Sequence, residues 1–463
     1  MKINTRFKLR QVTFTVLIGF AATQHTISHA DEMATSSDYT FMDAIQSGKN
    51  MSSFRLRYEN VQQDGNAPAP LNTKPLADAN AVTLRSLIGW QTAPFHNFSF
   101  AAQLINVGKL DEQYNDSTNN ATNAASNQPN KLQYAKVVDP DMTDINQLYF
   151  DWTGIRNTRL RAGRQQVVLD NARFIGDVGF RQDMQVFDGA SVINKTLPDT
   201  EVYLAYFNRV RQVNTRLRDD GALEVGNLKY RISPTESISA YGYFSDFTDL
   251  GFGNAWFGGT TNTNANQSNK ILGLRLDGVH TINPDWKGLY TAEYAKQTDF
   301  SGGDSRIDAH YYKIGGGAAY NAFTLRLDQE MLSSNNGLYA FQTPFGSNHA
   351  FQGGLDKFLV TPKEGMVDTF ATATYKYGDF QFFADYHVFN SDVDFNKVTG
   401  GKGDEYGTGW SSAVTYNYSK NILTKLEYAE FHESDQYQPT ATVVQTSRFR
   451  NTDKLWLTAM YTF

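Results

Sequence analysis

Apolar and polar residues alternate with a period of two from about residue 51 to the end of the chain. Ser52 to Asn60 sets Phe54, Leu56 and Tyr58 against Arg55, Arg57 and Glu59. Lys270 to Gly278 sets Leu272, Leu274 and Leu276 against Gly273, Arg275 and Asp277, and Ala322 to Glu330 sets Phe323, Leu325 and Leu327 against Arg326, Asp328 and Glu330. Asp453 to Phe463 sets Leu455, Leu457, Ala459, Tyr461 and Phe463 against Lys454, Trp456, Thr458 and Thr462. Counting such segments predicts about eighteen strands of roughly ten residues, the length a tilted strand needs to cross a bilayer. Their predicted centres are Leu56, Leu87, Ala102, Tyr149, Arg161, Ala190, Leu204, Tyr230, Tyr241, Leu274, Thr291, Ile314, Leu327, Ala373, Ala384, Val414, Leu426 and Leu457.

The connections alternate strictly between short and long. Short ones fall at Ala93-Pro94-Phe95-His96, Gly154 to Asn157, Leu197-Pro198-Asp199, Ser233-Pro234-Thr235, Asn283-Pro284-Asp285, Asn321, Tyr377-Gly378-Asp379 and Ser419-Lys420-Asn421. Long ones fall near 61–80, 109–144, 168–184, 209–224, 246–269, 298–308, 332–365, 390–407 and 432–452. A soluble sandwich has no reason to separate its loops in this way. The pattern predicts an all-β fold, a transmembrane antiparallel β-barrel with short periplasmic turns, long extracellular loops and both termini in the periplasm. The polar tracts Asn115 to Asn130 and Gly258 to Asn269 suit solvated outer loops.

Residues 1–30 read as a secretory signal: Lys2, Arg6, Lys8 and Arg10 precede an apolar run, Val12 to Ala22, that is too short to span a bilayer. Ser28-His29-Ala30 supplies small residues at the cleavage site, so the mature chain is expected to begin at Asp31. Residues 31–50 form a periplasmic N-terminal segment in which Phe41 to Ile45 predicts a short helical turn, and residues 51–463 form the barrel. A terminal Phe463 behind alternating apolar residues looks like the signal read by the barrel-assembly machinery.

Composition fits this picture. Of 463 residues, 14% are aromatic, and 36 glycines serve strands and turns rather than helices. Mean hydropathy is only −0.48, as expected when every second strand residue faces lipid. The absence of cysteine excludes disulfides and thiolate metal sites, and a net charge of −6 argues against nucleic acid as a partner. No cofactor or metal is implied. No H-E-x-x-H or G-x-S-x-G occurs, and neither His310 nor His387 forms a recognised catalytic pair, so an outer-membrane enzyme is the least favoured class. Gly315-Gly316-Gly317 lacks nucleotide-binding spacing and marks a bend or close packing inside a strand.

If the apolar face meets lipid, the opposite face lines a pore. That assigns Arg55, Arg57, Arg85, Arg159, Arg161, Lys229, Arg231, Arg275, Arg326, Lys425 and Lys454 to the interior, with Glu59, Asp151, Asp277, Asp328, Glu330 and Glu427. Two readings follow. The arginines form a cationic ladder for an anionic solute, or they pair with the carboxylates and stiffen the wall.

One segment is dense in chemistry. Leu160 to Asp188 holds Arg161, Arg164, Arg173 and Arg181 with Asp170, Asp177, Asp183 and Asp188, and Gly176 and Gly179 allow close folding. A loop of this kind after a strand ending near Val168 is expected to fold inward and narrow the pore. Gly163-Arg164-Gln165, Leu169-Asp170-Asn171, Arg173-Phe174-Ile175-Gly176, Gly179-Phe180-Arg181-Gln182 and Gln185-Val186-Phe187-Asp188 resemble the alginate-export family of outer-membrane proteins. Arg55 to Val61 and Leu84 to Trp90 resemble that family's first two strands. The resemblance implies a monomeric eighteen-stranded channel in outer-membrane lipid, passing an anionic polysaccharide or a small carboxylate through an arginine-lined constriction. The long periplasmic turn expected of an exporter has no counterpart among the short turns here. The alternative is an uptake porin for small neutral or aromatic nutrients, with the arginines structural.

Overall fold

The short turns show how local sequence sets the architecture. Asn157, Asp199, Asn321 and Gly378 each sit at positive φ in a two-strand connection. This left-handed region is open to Gly and tolerated by Asn and Asp, so each residue reverses the chain tightly and fixes the register beyond it. The computed structural model describes residues 39–67, 74–116, 131–250, 256–257, 265–397, 400–436 and 450–463. The signal segment 1–30, most of the 115–130 tract and much of the 258–269 tract lie outside them.

Eighteen long antiparallel strands form the fold. They are β1 Ser53–Gln63, β2 Ala79–Gln91, β3 Phe98–Gln113, β4 Met142–Trp152, β5 Thr158–Gln165 and β6 Val186–Asn194. Next come β7 Thr200–Arg211, β8 Leu223–Ser233, β9 Glu236–Ser245, β10 Asn269–Thr281, β11 Trp286–Asp299 and β12 Asp308–Tyr320. The last six are β13 Phe323–Leu332, β14 Met366–Tyr377, β15 Phe380–Asn396, β16 Lys402–Asn417, β17 Ile422–Glu433 and β18 Thr452–Thr462. Every predicted centre lies in its own strand. Two-residue strands at Lys49–Asn50 and Leu217–Arg218 extend the ladders of β2 and β7. Each strand pairs with its sequence neighbours, and β1 pairs with β18 from Ser53↔Thr462 to Gln63↔Thr452, so the sheet is closed. Phe463 completes this seam, its ring edge-on to Phe54 at 5.8 Å.

Alternation sorts side chains as expected. On β13, Phe323, Leu325 and Leu327 are 44%, 52% and 64% exposed, whereas Arg326, Asp328 and Glu330 are 7% or less. Exposed Leu56, Ile88, Leu148, Leu204, Leu274, Ile314, Leu426 and Leu457 continue the apolar belt around the barrel. At the short-turn end Trp286 packs on Tyr320, Phe380 on Tyr416 and Phe98 beside Trp152, an aromatic rim of the kind that sits at a membrane interface. A closed barrel with an apolar outer belt, aromatic rim and long loops at one end is an outer-membrane barrel. We expect Leu327→Arg, which puts a charge near mid-strand on the lipid face, to destabilise folding into vesicles by about 2–4 kcal/mol. Denaturant titration of heat-modifiable gel mobility would measure this, and an unchanged midpoint would contradict the assignment of that face to lipid.

Candidate functional site

Eighteen strands enclose more space than their own side chains fill. Among the described residues, two loops enter it and bond to each other. The first is residues 166–185, between β5 and β6, the segment expected to fold inward. The second is residues 333–365, between β13 and β14, which the strand pattern predicts only as one of the long outer loops. They lie against each other: Gly176 N–H donates to Phe345 O at 2.9 Å, Ser347 N–H to Ala172 O at 2.9 Å, and Gln185 Nε2 to Phe345 O at 2.8 Å. A Cβ on Gly176 would lie 2.2 Å from Ser347 Oγ, so the close approach requires glycine there; the nearest atom to one on Gly179 is 3.3 Å away, in the side chain of its own neighbour Asp177. Phe174, Ile175, Phe341, Phe345, Leu355 and Phe358 join the buried cluster that the inward aromatics of β6 to β18 complete.

Charge fixes the first loop to the wall. Arg181 reaches Glu59 on β1 at 3.1 Å and Asp356 of the second loop at 2.5 Å. Asp356 also meets His349 at 2.8 Å and Lys454 on β18 at 2.9 Å. Burial would raise the Asp356 carboxyl, but Lys454, His349 and Arg181 outweigh it and hold it well below the ordinary range. Phe180 stacks on His349, and Trp456 stands edge-on to both. Across the lumen Arg173 lies 2.9 Å from Glu330 on β13 and beneath the Phe351 ring. Burial pushes Asp183 up to about 7 against the pull of Arg211, 3.0 Å away, and pushes Asp177 up as well. Asp170 accepts from Lys229, Asn227 and Ser239 on β8 and β9.

The remaining candidates separate into paired and unpaired cations. Arg161 is bidentate to Asp151 at 2.6 and 2.7 Å and covers the Tyr149 ring. Arg275 pairs with Glu293 and Asp277, and Arg326 with Asp328, which lies across Gly315 and Gly317 where a Cβ would collide. Gly315, opposite Asp328, and Gly317, opposite Arg326, are thus close packing, whereas a Cβ on Gly316 would meet nothing nearer than 3.5 Å. Arg164 and Asp188 differ from expectation: they bond each other at 2.7 and 2.9 Å, but share the parity of exposed Leu160 and Ala162 rather than that of the lumen. Arg231 is exposed at the short-turn end of β8, away from the constriction.

Among the described residues, no carboxylate lies within ion-pair distance of Arg55, Arg57 or Arg85. Arg55 Nη1 donates to Gly179 O at 2.8 Å and its Nε to Gln182 Oε1 at 2.8 Å; Arg57 Nη1 donates to Phe180 O at 2.5 Å. These two clamp the backbone of the first loop. Arg85, directly across the β1–β2 ladder from Arg55, is 5% exposed, and its Nε and Nη1 have no acceptor. Arg159 also leaves Nε unpartnered. His387 sits between Asp368 and Asp385 at 2.9 and 3.2 Å and stacks on Phe370.

No protein-family model matches this chain, and no curated protein matches it. Solved structures do. The chain is similar to Pseudomonas aeruginosa OpdK with vanillate, at 12% identity and a TM-score of 0.61 over 90% of this chain and 98% of that one. It is similar to P. aeruginosa OccK5 (OpdH), at 13% identity and 0.59 over 90% and 98%. Acinetobacter baumannii OccAB4 gives 12% identity and 0.63 over 89% and 97%. These are outer-membrane porins, channels rather than enzymes, and the fold of this chain is theirs. They correct the resemblance to alginate exporters. Its motifs, an Arg-, Asp- and Gly-rich loop after a strand, are what any wide barrel needs to lock a loop across its lumen.

Removing one member of a buried ion pair costs about 3–5 kcal/mol. Arg181→Ala is therefore expected to free the first loop and raise single-channel conductance and open-channel noise. Wild-type conductance in that variant would mean the loop's backbone bonds hold it alone.

Proposed function

We propose that this barrel is an uptake channel for small organic anions, aromatic carboxylates among them, with two inward loops limiting solute size. The carrying observation is Arg85. A buried guanidinium with two empty donors is costly, and a carboxylate oxygen supplies the acceptors it lacks. Arg55 and Arg57 add positive charge beside it without an ion-pair partner among the described residues, whereas Arg161, Arg275 and Arg326 are paired within the wall. The structural neighbour crystallised with vanillate, itself an aromatic carboxylate, supports the same solute class. The channel acts as a monomer in outer-membrane lipid, delivered by the barrel-assembly machinery after loss of residues 1–30; intact mass of the outer-membrane form should begin at Asp31.

The test is a planar bilayer with benzoate and its neutral analogue benzyl alcohol. Benzoate should interrupt the current and benzyl alcohol should not. Losing one charge-assisted contact, worth about 1.5–3 kcal/mol, Arg85→Gln should weaken benzoate block at least about tenfold. The charge-conserving double change Arg161→Gln with Asp151→Asn should leave it intact. Equal response to benzoate and benzyl alcohol in the wild type would sink the proposal.

A further inference from the structure

Residues 39–48 precede the barrel wall, which the chain joins where Lys49–Asn50 pair with β2. Residues Phe41–Gln46 form a helix begun by a capping box, in which Asp43 N–H donates to Thr40 Oγ1 and Thr40 N–H to Asp43 Oδ2. On β2, Leu87 is buried inward against Met184 of the constriction loop, so Ile88 and Trp90, both exposed, bracket the outward parity. Trp90 Nε1 donates to Ile45 O at 2.8 Å, and Gly48 passes so close over the indole that a Cβ would lie 2.3 Å from Nε1. Ala93 N–H donates to Ala44 O, tying the helix to the β2–β3 turn. The helix is therefore docked on the lipid side of the short-turn rim.

At about 100° per residue, Ala44, Phe41, Ile45 and Met42 fall on one continuous arc, and Asp43 and Gln46 on the other. The barrel covers only the Ala44 edge. Phe41 and Met42 remain 57% exposed, and Phe41 packs edge-on to Phe95 of the turn. The uncovered part of the arc is continuous with the outward rim of Trp90, Phe98 and Trp152. We propose that this helix is a membrane-interface anchor, with Phe41 and Met42 seated at the headgroup–acyl boundary of the periplasmic leaflet. The partner is phospholipid. Continuity with the lipid-facing belt selects it over a second protein, and apolar side chains at that depth gain the burial the barrel does not give them.

The chain contains no cysteine, so Met42→Cys and Ser47→Cys, the latter at the exposed C-cap, give single labelling sites about 140° apart around the helix axis. Each variant, labelled with an environment-sensitive fluorophore and folded into phosphatidylcholine vesicles, is probed with aqueous iodide and with lipids spin-labelled near the headgroup. The label at residue 42 should be quenched by the spin-labelled lipid and show roughly fivefold less iodide quenching than that at 47, as seating at the boundary implies. Phe41→Asp in the Met42→Cys background should abolish the difference while heat-modifiable mobility shows an intact barrel. Equal iodide access at 42 and 47 without lipid quenching would overturn the anchor. Shielding that appears only at high protein-to-lipid ratio would overturn it too, in favour of a contact between copies.

Discussion

In hydrocarbon, a backbone N–H or C=O without a partner costs several kcal/mol, and no water is there to take its place. That requirement makes β1 return to β18, because an open edge would expose a row of such groups. Closure fixes the period-two alternation, since each strand has lipid on one side and lumen on the other. It then turns most charged strand residues inward, where guanidinium and carboxylate groups must satisfy one another. The pairs Arg161–Asp151, Arg275–Glu293 and Arg326–Asp328 are this second consequence, and the inward loops are the third, filling a bore that eighteen strands leave too wide.

What the sequence revealed follows from how local each feature is. Strands were legible because alternation is written residue by residue, and turns because Asn157, Asp199, Asn321 and Gly378 carry their own backbone geometry. The 166–185 loop was legible as a constriction because its arginines, aspartates and glycines have no use in a solvated loop. The 333–365 loop carried a signal that went unread: Tyr339, Phe341, Phe345, Phe351 and Phe358 are an aromatic density no solvated loop sustains, in contrast to the tract at 115–130. Its partners could not be read, since Arg181 and Asp356 are 175 positions apart and only the closed sheet brings them together.

Arg164 and Asp188 teach a narrower point. Leu160 faces outward, so parity alone places Ala162 and Arg164 on the same side, and a strand-by-strand count would have removed Arg164 from the lumen. Composition grouped it with Arg161 because both lie in one arginine-rich stretch. Arg55 and Arg57 show the reverse: parity put them inside correctly, but only the folded loop reveals that their donors hold backbone carbonyls.

The constriction has a chronology. Asp356 gathers Lys454 from the last strand and, through Arg181, Glu59 from the first, so the narrowing stands directly over the seam. A nascent barrel still waiting for its final strand has neither the Lys454 contact nor a wall for Trp456 to present to Phe180. This part of the narrowing therefore exists only once the seam is closed. A barrel open at that seam keeps the Arg173–Glu330 pair and the bonds between the two loops, but not the cluster around Asp356 that joins them to both ends of the chain.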